Sequence, residues 1–449
     1  MIQEPRISKH LSSSRVDLIN ETIQSHRYAL SLNQDNADIL FNTAQVLTTA
    51  AETAQETKDP DAQNEAITLL KEAVELFSSC LSRQELDFTE SQAQAEIDPT
   101  SQDDDEGDLE RMSTTSSQPP QEWATVMEPV TANTLVETAL AELNTLTTLV
   151  SLTSSTGGPD SNDYRAFADV AEILIQQKLP QYIALVPTTS PEEATPAPTA
   201  RFLSLSDATP TLHVSTPTPP TNPQADATHA ASLAAAIFSA AVAEAEYRGG
   251  LSTASTYAAR ATRAFATVPA DTPVHSIQQA AAHADALVAF AAAAADDDDA
   301  GVPALRAAAL DAARARLADA AALMPRVGGA DAGVPSAAAV ALLRGDVEMM
   351  RRVVAEGEGE GEGVGADAML EGAAGCYGSG AGAAHGDEDE EREVGVKRAV
   401  VGVLRGVVGA EELASLVKDG KARMVVSEME EEGLLRKSDK EKLAAILKG

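Results

Sequence analysis

Between Asp38 and Asp87 apolar side chains return every three or four residues. Leu40, Ala44 and Leu47 stand at i, i+4 and i+7 with Thr43 between them, and Ala73, Phe77, Cys80 and Leu81 repeat the spacing. A period near 3.6 puts each set on one face of a helix. An earlier helix over 16–32 closes with Ala29, Leu30 and Leu32, and Asn33-Gln-Asp-Asn36 breaks it. Asp35 is expected to cap the second helix, and Asp38 adds negative charge to its first turn. The insert Thr57-Lys-Asp-Pro-Asp-Ala62 reads as a loop, and 66–84 as a long third helix. Alanines at the crossing points let such helices approach closely.

The same pattern divides the rest of the chain. Residues 1–15 are polar and expected to be loose. Residues 88–122 are rich in Ser, Gln, Thr, Asp and Glu, including Asp103-Asp-Asp-Glu106, and predict a disordered insertion within an ordered N-terminal part, 16–186. Trp123 is expected to restart order. Thr134 followed by Glu137 suggests a capping box for a helix over 135–152, with a return helix over 163–179. The Pro/Thr-rich segment 187–226 reads as a linker. Residues 227–355 are Ala-rich and predict three helix pairs: 230–247 with 252–266, 276–294 with 304–324, and 336–343 with 347–355. Arg344-Gly345-Asp346 is expected to separate the last two. Glu-Gly alternation and the acidic run 387–393 predict a loop over 356–394, and 395–449 returns to amphipathic, capping helices. The expected fold class is all-α, a solenoid of antiparallel helix pairs with long acidic or Pro/Thr-rich insertions.

Composition sharpens this picture. The 449 residues hold 69 acidic and 33 basic side chains, a net charge of −36. Nucleic acid and anionic membrane are therefore disfavoured as direct partners, because both are bound through Lys and Arg, and a basic protein is favoured. Aromatic residues make up 3%, so the core must be built from Ala, Leu and Val, which suits closely packed helices and not a sheet. Cys80 and Cys376 are too few for a disulfide framework or thiolate metal site and point to a reducing compartment. The first residues lack the apolar core of a secretory signal, and the apolar run 286–295 is too short to span a bilayer.

Motifs for catalysis are not found. There is no Walker loop, HExxH or Cys/His metal spacing. Gly363-Val-Gly-Ala-Asp-Ala368 matches a loose dinucleotide fingerprint, but it follows an acidic Glu-Gly repeat that would repel pyrophosphate. The seven histidines are dispersed, and His275 and His283 are expected to be solvated or partly buried. No enzyme activity, cofactor or metal is expected.

The spacing of Leu40, Thr43, Ala44 and Leu47, followed by Ala73, Phe77 and Cys80, resembles the tetratricopeptide repeat. Ala29 matches the last Ala of a preceding repeat, while Leu40 and Leu47 stand in the Trp and Tyr slots. Tyr257, Ala261 and Ala264, with Pro269 in the turn slot, and Ala313, Leu317 and Ala320 repeat the second-helix spacing. In this family the first helix of each pair lines a concave face. That rule exposes Asp38, Phe41, Gln45, Thr48 and Thr49, with Asn42 beside them to bond a peptide backbone. The family's carboxylate clamp for heat-shock chaperones needs Lys and Arg at several of these positions, and none is present. The phrases Asn36-Ala-Asp-Ile-Leu-Phe-Asn-Thr-Ala-Gln-Val-Leu47, Glu72-Ala-Val-Glu-Leu-Phe-Ser-Ser-Cys-Leu81 and Trp123-Ala-Thr-Val-Met-Glu-Pro-Val-Thr131 are similar to a fungal repeat family of dedicated assembly chaperones for large-subunit ribosomal protein four. The resemblance is best over 16–186. It implies binding of that newly made basic protein and escort from cytoplasm to nucleus, with nuclear import machinery met through the client. The competing expectation is a non-catalytic scaffold joining proteins in a complex.

Overall fold

The computed structural model describes residues 15–55, 60–97, 129–155, 163–188, 222–297, 299–326, 334–357, 364–383, 388–418 and 420–448. These residues form an all-α protein, with no strand among them. In the first part are α1 (Arg15–Leu32), α2 (Ala37–Gln55), α3 (Pro60–Ile97), α4 (Ala132–Ser155), α5 (Asp163–Ile173) and α6 (Leu179–Leu185), with a π-helical turn over Leu174–Lys178. Then follow α7 (Pro223–Arg248), α8 (Ala254–Phe265), α9 (Pro273–Ala293), α10 (Val302–Leu323), α11 (Ala337–Gly357), α12 (Val364–Ala383) and α13 (Glu388–Leu404). The C-terminal elements are α14 (Ala410–Leu416), α15 (Gly420–Glu431) and α16 (Lys437–Lys448).

Contacts divide the described residues into two compact units: one within 16–145 and 173–227, the other within 146–172 and 228–449. The division falls within α4. In the N-terminal unit α2 packs on α3. Ala44, Leu47, Ala73 and Phe77 meet Ile19 and Ile23 of α1 there. In the C-terminal unit α9, α10, α11, α12 and α13 pack each on the next, around Leu287, Phe290, Leu310, Leu317, Val347 and Tyr377. Much of this core is alanine, which carries little apolar surface but lets helix axes come close.

The buried stripe Leu40, Thr43, Ala44 and Leu47 lies where its periodicity predicts, as do Ala73, Phe77, Cys80 and Leu81. The capping residue differs: Asn36 Oδ1, not Asp35, accepts from the Ile39 backbone N–H at 3.0 Å. At α4 the cap is Thr131, which accepts from the Thr134 N–H, so the expected box at Thr134 lies inside the helix.

Several expected loops are helix. Helix α3 runs through Gln84 to Ile97, ten residues into the insertion expected over 88–122. Its Gln, Ala and Glu residues are good helix formers, and the Thr89 hydroxyl donates back to Glu85 O at 2.7 Å. The expected linker 187–226 ends early because Pro223 opens α7 at the first helical position, with Asn222 Oδ1 capping the Gln224 N–H at 3.1 Å. The return helix expected over 163–179 continues through the π turn to Leu185. Arg344-Gly345-Asp346 does not separate two helices but lies within α11. The expected loop 356–394 contains α12 and the start of α13. There Gly372 and Gly380 face Glu348 and Ala341 of α11, so packing against that helix accompanies the low helix propensity of glycine. From Val364 onward the dinucleotide-like motif lies in α12, and there is no strand among the described residues. Trp123, expected to restart order, and residues 98–122 of the expected insertion lie outside the described residues.

The turn after α7 follows expectation. Gly250 takes φ +69°, and the Leu251 N–H reaches back to Glu246 O at 2.8 Å. Helix α7 itself is long and apolar enough to cross a membrane by length and composition. Here its Ala234, Phe238, Ala241 and Ala245 are buried in the protein.

Candidate binding surfaces

On α2 the buried arc is wider than the stripe read from the sequence. Phe41 is half-buried and meets Phe77 edge to face, with ring centroids 5.6 Å apart. Thr48 is half-buried too; its hydroxyl donates to Ala44 O at 3.0 Å and lies 3.3 Å from the Thr145 hydroxyl on α4. Both side chains were expected on an open face and instead pack between helices, because α2 is covered on more than one side. Asp38, Asn42 and Gln45 are exposed and share one stripe, with half-buried Thr49 at its end. The structure thus brings together three of the six expected surface residues as a free polar ridge.

Electrostatics around this ridge are one-sided. The described residues of the N-terminal unit hold Arg27, Lys71, Arg83 and Lys178 as their basic side chains. The Arg27 guanidinium bonds Glu72 across α1 and α3, Arg83 pairs with Asp87 at 2.8 Å, and Lys178 pairs with Glu85 at 2.7 Å. Lys71 is engaged as well. Asp35, Asp38, Glu65, Glu75, Glu90 and Glu137 remain exposed without a cation among the described residues. These four cations are taken up by internal links, so the surface formed by the described residues of the unit stays negative.

Internal polar links make the N-terminal unit specific. Glu85 accepts from both Lys178 and the Tyr182 hydroxyl, tying α3 to the π turn and α6. Glu142 of α4 is buried and accepts from the Ser78 hydroxyl, and burial raises its carboxyl above the usual carboxylate range. The Cys80 thiol donates to Ala37 O at 3.3 Å, and burial pushes it up to about 12, so this cysteine is a packing residue and not a nucleophile.

The C-terminal unit carries a buried cluster that the sequence did not signal. Asp346 accepts from the Tyr377 hydroxyl at 2.7 Å and from Lys397 at 2.9 and 3.1 Å, joining α11, α12 and α13. Glu393 stands 2.9 Å from the same ammonium. Burial works against the charge of Lys397, yet Asp346, Glu393 and Glu432 together lift it above the ordinary lysine value. The i, i+4 spacing of Glu393 and Lys397 was visible in the chain; Asp346 was hidden behind a glycine that reads as a breaker. Nearby, Arg352 forms a two-point bond to Asp439 at 2.6 and 3.1 Å, both groups buried, clasping α16 to α11.

An open groove of about 800 Å³ runs over α10, α11 and α12, lined by Arg314, Arg344, Arg351, Asp311, Glu348 and Glu371. Arg314 and Arg351 are paired with Glu348, each at 2.8 Å, so the groove is charged but balanced. His275 and His283, expected to be solvated or partly buried, are both buried: His275 stacks on His229 and His283 on Phe265. Among the described residues no three His, Cys, Asp or Glu side chains are grouped to hold a metal ion.

Comparison with known proteins returns no matching family, no similar curated protein and no similar solved structure.

Proposed function

We propose that this chain is a non-catalytic, tetratricopeptide-like helical chaperone for a newly made basic protein, and that its client is large-subunit ribosomal protein four. The observation that carries this reading is the carboxylate surface of the N-terminal unit, where the cations among the described residues are engaged in internal links while Asp38 and its neighbours stay exposed. Opposite charge at such a face draws in a basic segment and keeps it from other anions, and the exposed amides of Asn42 and Gln45 can bond an extended backbone. Release follows from competition: ribosomal RNA carries denser negative charge and outbids a carboxylate surface once the complex reaches a pre-ribosome. The same reading has the protein travel with its client between cytoplasm and nucleus, meeting import machinery through the client and contacting neither nucleic acid nor membrane itself.

The test is size-exclusion chromatography of the purified full chain with purified large-subunit protein four at low salt. The reading expects co-elution at a defined stoichiometry and a client kept in solution that otherwise precipitates. Separate elution would reject it.

A further inference from the structure

A small recess in the C-terminal unit has no part in that reading. It measures about 260 Å³ and lies where α9, α10 and α11 meet. Leu317, Val340, Leu342 and Leu343 give it apolar walls, and two carboxylates border it, Asp285 and Asp346. Asp346 is already committed, held by Lys397 and the Tyr377 hydroxyl. Asp285 is not: among the described residues it has neither an ion pair nor a hydrogen bond, and it is exposed to solvent.

That sets Asp285 apart from the other described carboxyls that desolvation raises. Glu142 accepts from Ser78, and Asp346 and Glu432 both lie in the field of Lys397. At Asp285 desolvation acts alone and lifts the carboxyl to about 6. At neutral pH it is still ionised, a charge in a poorly hydrated place with nothing to balance it. Desolvated charges in proteins are normally paired, so the missing partner is a cation supplied from outside. Because Asp285 is exposed, such a cation can reach it.

The walls define the rest of the ligand. Cavities for whole small molecules run about 300–1,000 Å³, so this smaller one suits a single side chain. An aliphatic side chain without charge would cover Asp285 further and give nothing back. Lysine carries four methylenes that can lie along the leucine and valine walls while its ammonium stays at the carboxylate. Arginine has a shorter stem and a broad planar head, which suits so small a recess less well. The chain's net charge of −36 draws basic segments towards it.

We propose that this recess takes a lysine side chain of a basic partner, its stem against Leu317, Val340, Leu342 and Leu343 and its ammonium on Asp285. The site makes no use of the acidic N-terminal surface and is tested with a free lysine derivative, so it and the ribosomal-client reading can each fail alone. The experiment titrates N-acetyl-lysinamide into the full chain carrying ¹³C-labelled leucine and valine methyl groups at pH 7.5. N-acetyl-norleucinamide, with the same stem and no ammonium, is titrated in parallel. The expected result is saturable shifts at the Val340, Leu342 and Leu343 methyls, with the lysine derivative binding about fivefold tighter, as a partly exposed ion pair supplies. Asp285→Asn keeps the shape of the side chain and should remove that preference. The proposal is overturned by no saturable shift at these methyls, by equal affinity for the two derivatives, or by a preference that survives Asp285→Asn.

Discussion

Gly345 lies so close to Tyr377 that a Cβ on it would stand 2.3 Å from the tyrosine Cε1. The ring of α12 fills the space that any other residue of α11 would occupy. Its hydroxyl then reaches Asp346 in the next position of the same helix. Gly345→Ala should therefore force this ring or its helix to shift and cost about 1–3 kcal/mol, the usual range for overpacking. Gly375→Ala, at a helical position with nothing within 4 Å of the new methyl, should instead stabilise by about 0.5–1 kcal/mol. Chemical denaturation of both variants checks the contrast; equal effects would show that Tyr377 does not press on Gly345.

Lys397 and Asp346 form a buried polar link. Lys397→Met leaves a buried carboxylate with only the Tyr377 hydroxyl, and should cost about 3–5 kcal/mol. Asp346→Leu/Lys397→Met removes both charges and should recover part of that loss. A double variant no better than the single would show that the pair is not the source of the penalty. Thermal melts of the set decide it.

Two neighbours on α9 give opposite pH responses. His283 titrates at about 4 in the folded chain against 6.5 unfolded, so its contribution is full above pH 6.5 and is lost as pH falls towards 4. That loss is on the order of 3 kcal/mol. Asp285 is exposed to solvent yet stands in a concave wall, where desolvation pushes its carboxyl up to about 6 from 3.8. A raised carboxyl favours the fold at low pH, and that help disappears as pH rises through 6. Asp285→Asn should thus raise the melting temperature at pH 7.5 and lose its advantage near pH 4. His283→Gln should flatten the fall in stability between pH 6.5 and 4. Parallel curves for variant and wild type across these windows would contradict the assignments.

The N-terminal fold was legible in the chain because its signal is periodic. Leu40, Ala44 and Leu47 announce a buried stripe, and Asn33 to Asn36 announce a break. The C-terminal unit was read less well for a physical reason. Glycine is a breaker when judged locally, yet Gly345 is a place where the Tyr377 ring comes too close for a side chain. That information belongs to the partner element and is absent from the local window. The candidate surface shows the same limit: Asp38, Asn42 and Gln45 are exposed along one helical stripe, but Phe41 and Thr48 are claimed by Phe77 and Thr145, distant in sequence. Asp346 and Lys397 are likewise 51 positions apart, and nothing local pairs them.

Ala44 is fully buried between α2 and its neighbours, and Gln45 beside it is exposed. Ala44→Glu should place an unpaired charge in the seam and cost at least about 2 kcal/mol. Gln45→Glu should stay within about 0.5 kcal/mol of wild type. Urea unfolding of the two distinguishes the faces, and a tolerated Ala44→Glu would show that the register of α2 is wrong.

The central claim is that an unneutralised carboxylate surface holds a basic client, and calorimetric titration of purified large-subunit protein four into the full chain over a salt series tests it most directly. Affinity should fall steeply and log-linearly as salt rises, since screening weakens charge attraction between exposed groups. The variant Asp38→Lys/Gln45→Lys, altered only at exposed positions of α2, should keep its helical circular dichroism. Its binding should weaken by on the order of 1 kcal/mol for each introduced positive charge at moderate salt, with a shallower salt slope. Binding that is indifferent to salt and unchanged in the variant would contradict the account and favour an apolar scaffold contact elsewhere on the protein.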